Sequence, residues 1–169
     1  YYGPNAFRDI HEHLMSASGL NFSMVPYDLA RTLSANGTVT RGVCKTENGY
    51  LKDIEEIQKI QNLKYFDEKT NEWHSLSEDT KVSMNLWGLT PDIFPILQDE
   101  FDEFMKTGNL KTDELLIPNS IKKLLSAGKI TVKTLPNADQ WYGITYKEDL
   151  PEVKKALRNY VDQGKYPGI

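Results

Sequence analysis

The chain has 169 residues, enough for one ordinary domain with its own core and too few for two of usual size. Acidic side chains outnumber basic ones, 24 to 20, for a formal charge of −4 without any Lys/Arg block, so binding to a nucleic-acid backbone has no electrostatic footprint. A single cysteine, Cys44, excludes an internal disulfide, no Cys/His spacing matches a zinc site, and no stretch approaches the about 20 apolar residues of a membrane span, so a cytoplasmic protein without a membrane partner is expected.

Along the chain, Pro4 stands where a first helical turn accepts it, and Ala6, Phe7, Ile10, Leu14 and Met15 recur at helical spacing before Gly19. Asn21 to Val25 reads as a short strand, and Ser34-Ala35-Asn36-Gly37 as a turn. Thr38 to Cys44 and Tyr50 to Ile54, joined by Glu47-Asn48-Gly49, make the clearest β-hairpin. Tyr65-Phe66 and Trp73 flank a polar stretch that predicts a small second hairpin or flap. Lys81 to Leu89 is a strand feeding a helix, with Thr90 as its expected cap and Ile93, Phe94, Leu97, Phe101 and Phe104 along it. A helix over 117–127, a strand over 130–135 and a last helix from the segment 147–151 complete the reading. Strands alternating with helices predict a single α/β unit, 1–169, built as a layered mixed sheet.

The sequence contains no P-loop, no G-x-G-x-x-G, no nucleophile elbow and no His-rich metal box, so chemistry has to be sought in weaker constellations. Gly37 and Gly42 bracket a strand where a ligand can approach the backbone; a turn followed by a bulge is the plain alternative. Arg41 presents a planar fork suited to a phosphate, or is a solvated strand residue. Asp53, Glu55 and Glu56 can hold sugar hydroxyls or help to bind a cation, or form an exposed acidic edge. Asn85 interrupts an apolar strand just before a helix, where an amide reads a hydroxyl as donor and acceptor, or satisfies the backbone. The run from Asp139 to Asp149 combines carboxylates, the stacking faces of Trp141 and Tyr142 and the cation Lys147, or is a loop leading into a capped helix. His11 and His13, two apart on one helix, do not share a face, and Cys44 reads as a small buried hydrophobe.

Taken in order, Asn36-Gly37-Thr38-Val39-Thr40-Arg41-Gly42-Val43-Cys44, Asn48-Gly49-Tyr50-Leu51 to Glu56, Val82 to Gly88 and Trp141 to Asp149 resemble the later part of the sugar-1-phosphate nucleotidyltransferase domain. The resemblance spans nearly the whole chain. It implies a nucleotide-diphospho-sugar transferase sheet of the GT-A/Rossmann-like type, lacking its N-terminal nucleotide-binding strands, with Tyr1 falling in mid-domain. It also implies transfer of a nucleotidyl group from a nucleoside triphosphate to a sugar 1-phosphate, with Mg²⁺ and release of pyrophosphate. Gly42, Glu56 and Asn85 match the family's sugar-facing positions. The family's lysine after that glutamate is replaced by Ile57, leaving Lys59 or Arg41 as its stand-in. The family's late metal aspartate falls at Gly143, with Asp139 the nearest carboxylate.

Two function classes follow from the resemblance and its departures. One is an enzyme portion inactive by itself, and the other a noncatalytic sugar- or nucleotide-binding module of the same fold. A sheet lacking its first strands would also expose an apolar edge, so self-association or pairing with a partner through that edge is expected.

Overall fold

A computed structural model describes residues 1–166. Helix α1 (Ala6–Leu14) leads to strand β1 (Asn21–Asp28), then to the long hairpin β2 (Val39–Glu47) and β3 (Tyr50–Ile60). A small hairpin, β4 (Lys64–Asp67) and β5 (Glu72–Ser75), stands apart as the flap predicted around Trp73. Strand β6 (Lys81–Gly88), helices α2 (Ile93–Thr107) and α3 (Ile117–Ser126), strand β7 (Thr131–Thr134) and helix α4 (Leu150–Asp162) follow.

Local chemistry explains most boundaries. Asn48 and Gly49 both adopt left-handed backbone, with φ of 51° and 77°, the conformation a two-residue turn needs to match the twist of β2 and β3. Pro95 is the third residue of α2, where its missing N–H would have had no intrahelical partner. Two expectations shift. Pro4 lies ahead of α1, whose N-cap is Asn5. Thr90 does not cap α2, because its hydroxyl donates to the Gly19 carbonyl at 2.5 Å.

The layered GT-A/Rossmann-like sheet is not what the strands form. Five of them close into a barrel in the order β1-β6-β2-β3-β7, with β7 returning to β1. Strand direction cannot alternate all the way round a ring of five, so at least one neighbouring pair must run parallel. That pair is β1 and β7, in register from Asn21 opposite Thr131 to Met24 opposite Thr134. Closure follows from coiling. Register shifts interrupt β1 against β6 between Met24 and Pro26, and β2 against β3 at Val39/Arg41 and at Lys45/Thr46, and such bulges bend and twist strands beyond what a flat layer tolerates.

The core has three parts. Phe22, Met24, Cys44 and Ile54 pack with Ile93 of α2 and Ile121 and Leu124 of α3. Val25, Tyr27 and Leu86 pack with Ala6 and Ile10 of α1. Leu29, Val39, Ile57, Ile60 and Val82 fill the end beneath the flap. Strand β1 therefore buries both faces, alternate residues entering different clusters. Among the described residues, no helix is long and apolar enough to cross a membrane.

Candidate functional site

Gly42 sits at the centre of a three-strand crossing, opposite Glu56 of β3 on one side and Ser83 of β6 on the other. A cavity of about 160 Å³ opens over this crossing, lined by Arg41, Gly42, Glu56, Ser83, Asn85 and Pro118 from the first turn of α3. Gly42 keeps its floor low. A Cβ there would come within 3.0 Å of Ile54 Cδ1 and 3.5 Å of Ser83 Cβ.

Asn85 reaches the same cavity through an irregular backbone. Its φ is 58°, a left-handed conformation that asparagine tolerates better than most residues, at the point where β6 loses register with β1. Its N–H donates to Ser83 Oγ at 3.1 Å, and its Oδ1 accepts a long bond of 3.4 Å from Trp87 Nε1. Glu56 is exposed and has no ion-pair partner among the described residues. Asp53, from the same acidic run, is instead committed to Lys122 at 3.1 Å and Lys45 at 3.6 Å. The cavity thus offers a carboxylate, an amide and a hydroxyl over a bare backbone, a donor and acceptor set suited to a polyhydroxylated ligand.

Arg41 lies one residue from Gly42 and its side chain takes the opposite face of β2, opposite Ile57. There it lines a second, smaller cavity of about 70 Å³ together with Arg31, Ser34, Trp141 and Gly143. The guanidinium lies over the Trp141 ring, 5.4 Å from its centroid, and burial lowers its pKa from the ordinary arginine value. Gly143 explains itself here: a Cβ at this position would fall 1.9 Å from Trp141 Cη2. The indole occupies the space that a side chain at 143 would need.

The loop carrying Trp141 is tied down by Asp149. Its carboxylate accepts hydrogen bonds from the N–H groups of Tyr146 (2.8 Å) and Thr145 (3.0 Å), from Asn36 Nδ2 (2.7 Å) and from Ser34 Oγ (3.0 Å). The Tyr146 N–H, followed by the Asn36 amide, holds this carboxyl below the usual aspartate range. Tyr146 in turn donates its hydroxyl to the Thr38 carbonyl at 2.8 Å.

The remaining sequence candidates lie elsewhere. Lys59 pairs with Glu68 at 3.2 Å and lines the depression of about 270 Å³ beneath the flap, which it shares with Glu56. Lys147 is exposed in a short 3₁₀ turn and lines neither cavity. Asp139 accepts from both the backbone N–H (2.8 Å) and the side-chain amide (3.0 Å) of Asn5, one bond on each carboxylate oxygen, and these fix its orientation. Among the described residues, no group of three or more His, Cys, Asp or Glu side chains is placed to hold a metal ion. Cys44 is buried, and burial pushes its thiol up to about 12, far from nucleophile chemistry at neutral pH. Ser83, Thr32 and Pro118 were not singled out from sequence. Only the pairing of β6 with β2 and the packing of α3 bring Ser83 and Pro118 to Gly42, and no local pattern marks either residue.

A scan against protein-family models finds no match for this chain, and a search of curated proteins finds none either.

Proposed function

We propose that the cavity over Gly42 binds the sugar of a sugar 1-phosphate and serves as the acceptor side of a nucleotidyl transfer. One observation carries the reading. Gly42, Glu56 and Asn85, which come from three different strands and match the sugar-facing positions of the resembling family, line one cavity. Glu56 would accept from sugar hydroxyls, Asn85 would donate and accept, and the bare backbone at Gly42 would let the ring approach.

In the reaction the resemblance implies, an oxygen of the sugar phosphate attacks the α-phosphorus of a nucleoside triphosphate in line, and the bond to the leaving pyrophosphate breaks. Catalysis of that kind rests on positioning and charge neutralisation rather than on a protein nucleophile. Mg²⁺ would supply part of that neutralisation. Asp139 belongs to no group of three or more His, Cys, Asp or Glu side chains among the described residues, so sugar binding rests on the cavity residues alone.

Calorimetric titration with a panel of sugar 1-phosphates tests the site. Glu56→Gln and Asn85→Ala are each expected to weaken binding about tenfold, the scale of one lost hydrogen bond to a ligand, without loss of the folded far-ultraviolet spectrum. Unchanged affinity in both variants removes the assignment. These 169 residues carry no glycine-rich nucleotide loop, and pyrophosphate release by this polypeptide alone is expected to be absent.

A second reading, a binding module without transfer, is favoured by the Asn5 bonds to Asp139 and by the indole packed over Gly143. Pyrophosphate production across a panel of triphosphates and sugar 1-phosphates separates the two.

A further inference from the structure

Arg41 is 9% exposed and is the charged member of the buried polar residues among those described. Its Nε donates to Thr32 Oγ1 at 3.2 Å, its Nη1 to the Thr40 carbonyl at 2.8 Å and its Nη2 to the Thr32 carbonyl. All three acceptors are neutral. A guanidinium has five N–H groups, so two of them, one on each terminal nitrogen, find no acceptor among the described residues. No described carboxylate lies within 4 Å of it, although Asp149 and Glu152 line the same cavity. Asp149 already receives four hydrogen bonds, and Glu152 is exposed.

Removing a cation from water without an anionic partner is costly, and buried charges are ordinarily paired. Here the neutral acceptors and the Trp141 face orient the fork without neutralising it. Arg31 adds a second cation to the rim, anchored to the Ala138 carbonyl at 3.1 Å and to Asp28 at 3.6 Å. The cavity, at about 70 Å³, has the room of roughly two waters at liquid density, about 30 Å³ each, which suits a small anion and not a whole sugar.

We infer that the cavity between Ser34 and Trp141 is an anion site, in which the two remaining N–H groups of Arg41 hold a phosphoryl group. It goes beyond the sugar reading and stands without it: Arg41 also borders the Gly42 cavity, but its guanidinium turns to the opposite face, toward Thr32 and Trp141. The phosphoryl group can be free phosphate or belong to a larger phosphorylated ligand; the chemistry at Arg41 is the same.

The test uses inorganic phosphate as probe and Trp141 as reporter, with Trp73→Phe and Trp87→Phe in the background, at constant ionic strength. A saturable fluorescence change is expected, weakened at least tenfold by Arg41→Gln, only partly by Arg41→Lys, and left intact by Glu56→Gln. No saturable change in the parent protein overturns the site, as does equal phosphate affinity in Arg41→Gln. Either result would leave Arg41 a clamp on the Thr32 and Thr40 carbonyls. Should Arg41→Gln fail to fold, the Nε–Hε resonance of Arg41 in the unsubstituted protein decides: a saturable shift with phosphate supports the site, and an unmoved resonance overturns it. A parallel titration with a sugar 1-phosphate identifies the source. Tighter binding than phosphate assigns the phosphoryl group to a larger phosphorylated ligand, and equal affinity assigns the site to free phosphate. The sugar reading fails separately, through unchanged sugar-phosphate affinity in Glu56→Gln and Asn85→Ala.

Discussion

Asn85 combines the amide proposed to bind the sugar with a left-handed backbone, and the two contributions separate by substitution. Asn85→Ala keeps the strained conformation with a residue that resists it and should cost about 1 kcal/mol of stability. Asn85→Gly relieves the backbone while still removing the amide, so its urea midpoint should stay close to that of the parent although it too weakens sugar-phosphate binding. Equal destabilisation by both would mean that the amide, through its contacts with Trp87 and its surroundings, carries the stability. Gly143 poses the reverse question, because placing there the aspartate of the resembling family would drive a Cβ into the Trp141 indole. Gly143→Asp should therefore lose about 1–3 kcal/mol in urea unfolding and shift the tryptophan emission, without creating Mg²⁺ affinity. Residue type marked Gly37, Gly42, the Asp53/Glu55/Glu56 run and Asn85 as candidates, and the resemblance picked out Gly42, Glu56 and Asn85 among them. Neither revealed that Arg41, one position from Gly42, faces the other way.

At the scale of elements, the Ser34–Gly37 turn and the Trp141–Tyr146 loop behave as one unit because Asp149 bonds to both. Its folded pKa lies below the unfolded one, so its contribution is present at neutral pH and above its unfolded value of about 4, and is lost as pH falls through the folded value. The urea midpoint should thus decline on acidification below about pH 5, and Asp149→Asn should flatten that limb while lowering the plateau at neutral pH. An identical acid limb in the variant would place the titration on other carboxylates. Helix α4 itself starts without a side-chain cap, and the cap expected in this run closes the 3₁₀ turn 147–149, where Asp149 takes the Tyr146 N–H. Its partners Ser34 and Asn36 are more than a hundred residues away and left no trace in the local pattern. Helix α2 shows a similar division. Its apolar periodicity was legible, yet Ile93 is buried while Phe94 and Phe101 remain exposed, because only one side of the helix meets β1 and α3.

For the whole molecule, the closed ring replaces the open edge expected from a sheet lacking its first strands. Its thinnest join is between β3 and β7, which meet at Tyr50 and Lys133 and are reinforced by the Thr134 N–H to the Gly49 carbonyl at 2.8 Å. The β2–β3 ladder, by contrast, runs from Val39/Ile60 to Glu47/Tyr50. Native-state hydrogen exchange should show the Thr134 amide opening well below the global unfolding free energy, while the Cys44 and Ile54 amides approach it. Equal protection at all three would mean that the barrel opens only as a unit.

What the sequence by itself determined lies within a few residues of each position: the Asn48-Gly49 turn, the apolar runs of β1 and β6, the helical periods of α1 and α3, and a small set of chemically competent side chains. Backbone sterics and side-chain periodicity operate over that range. Only the tertiary structure decided that Asn21 meets Thr131 across 110 residues, that five strands close into a ring, and that Glu56 and Asn85 share one cavity while Arg41 and Trp141 share another. Those pairings depend on bulges, twist and the burial of β1 on both faces, contributions summed over the whole chain and carried by no single segment.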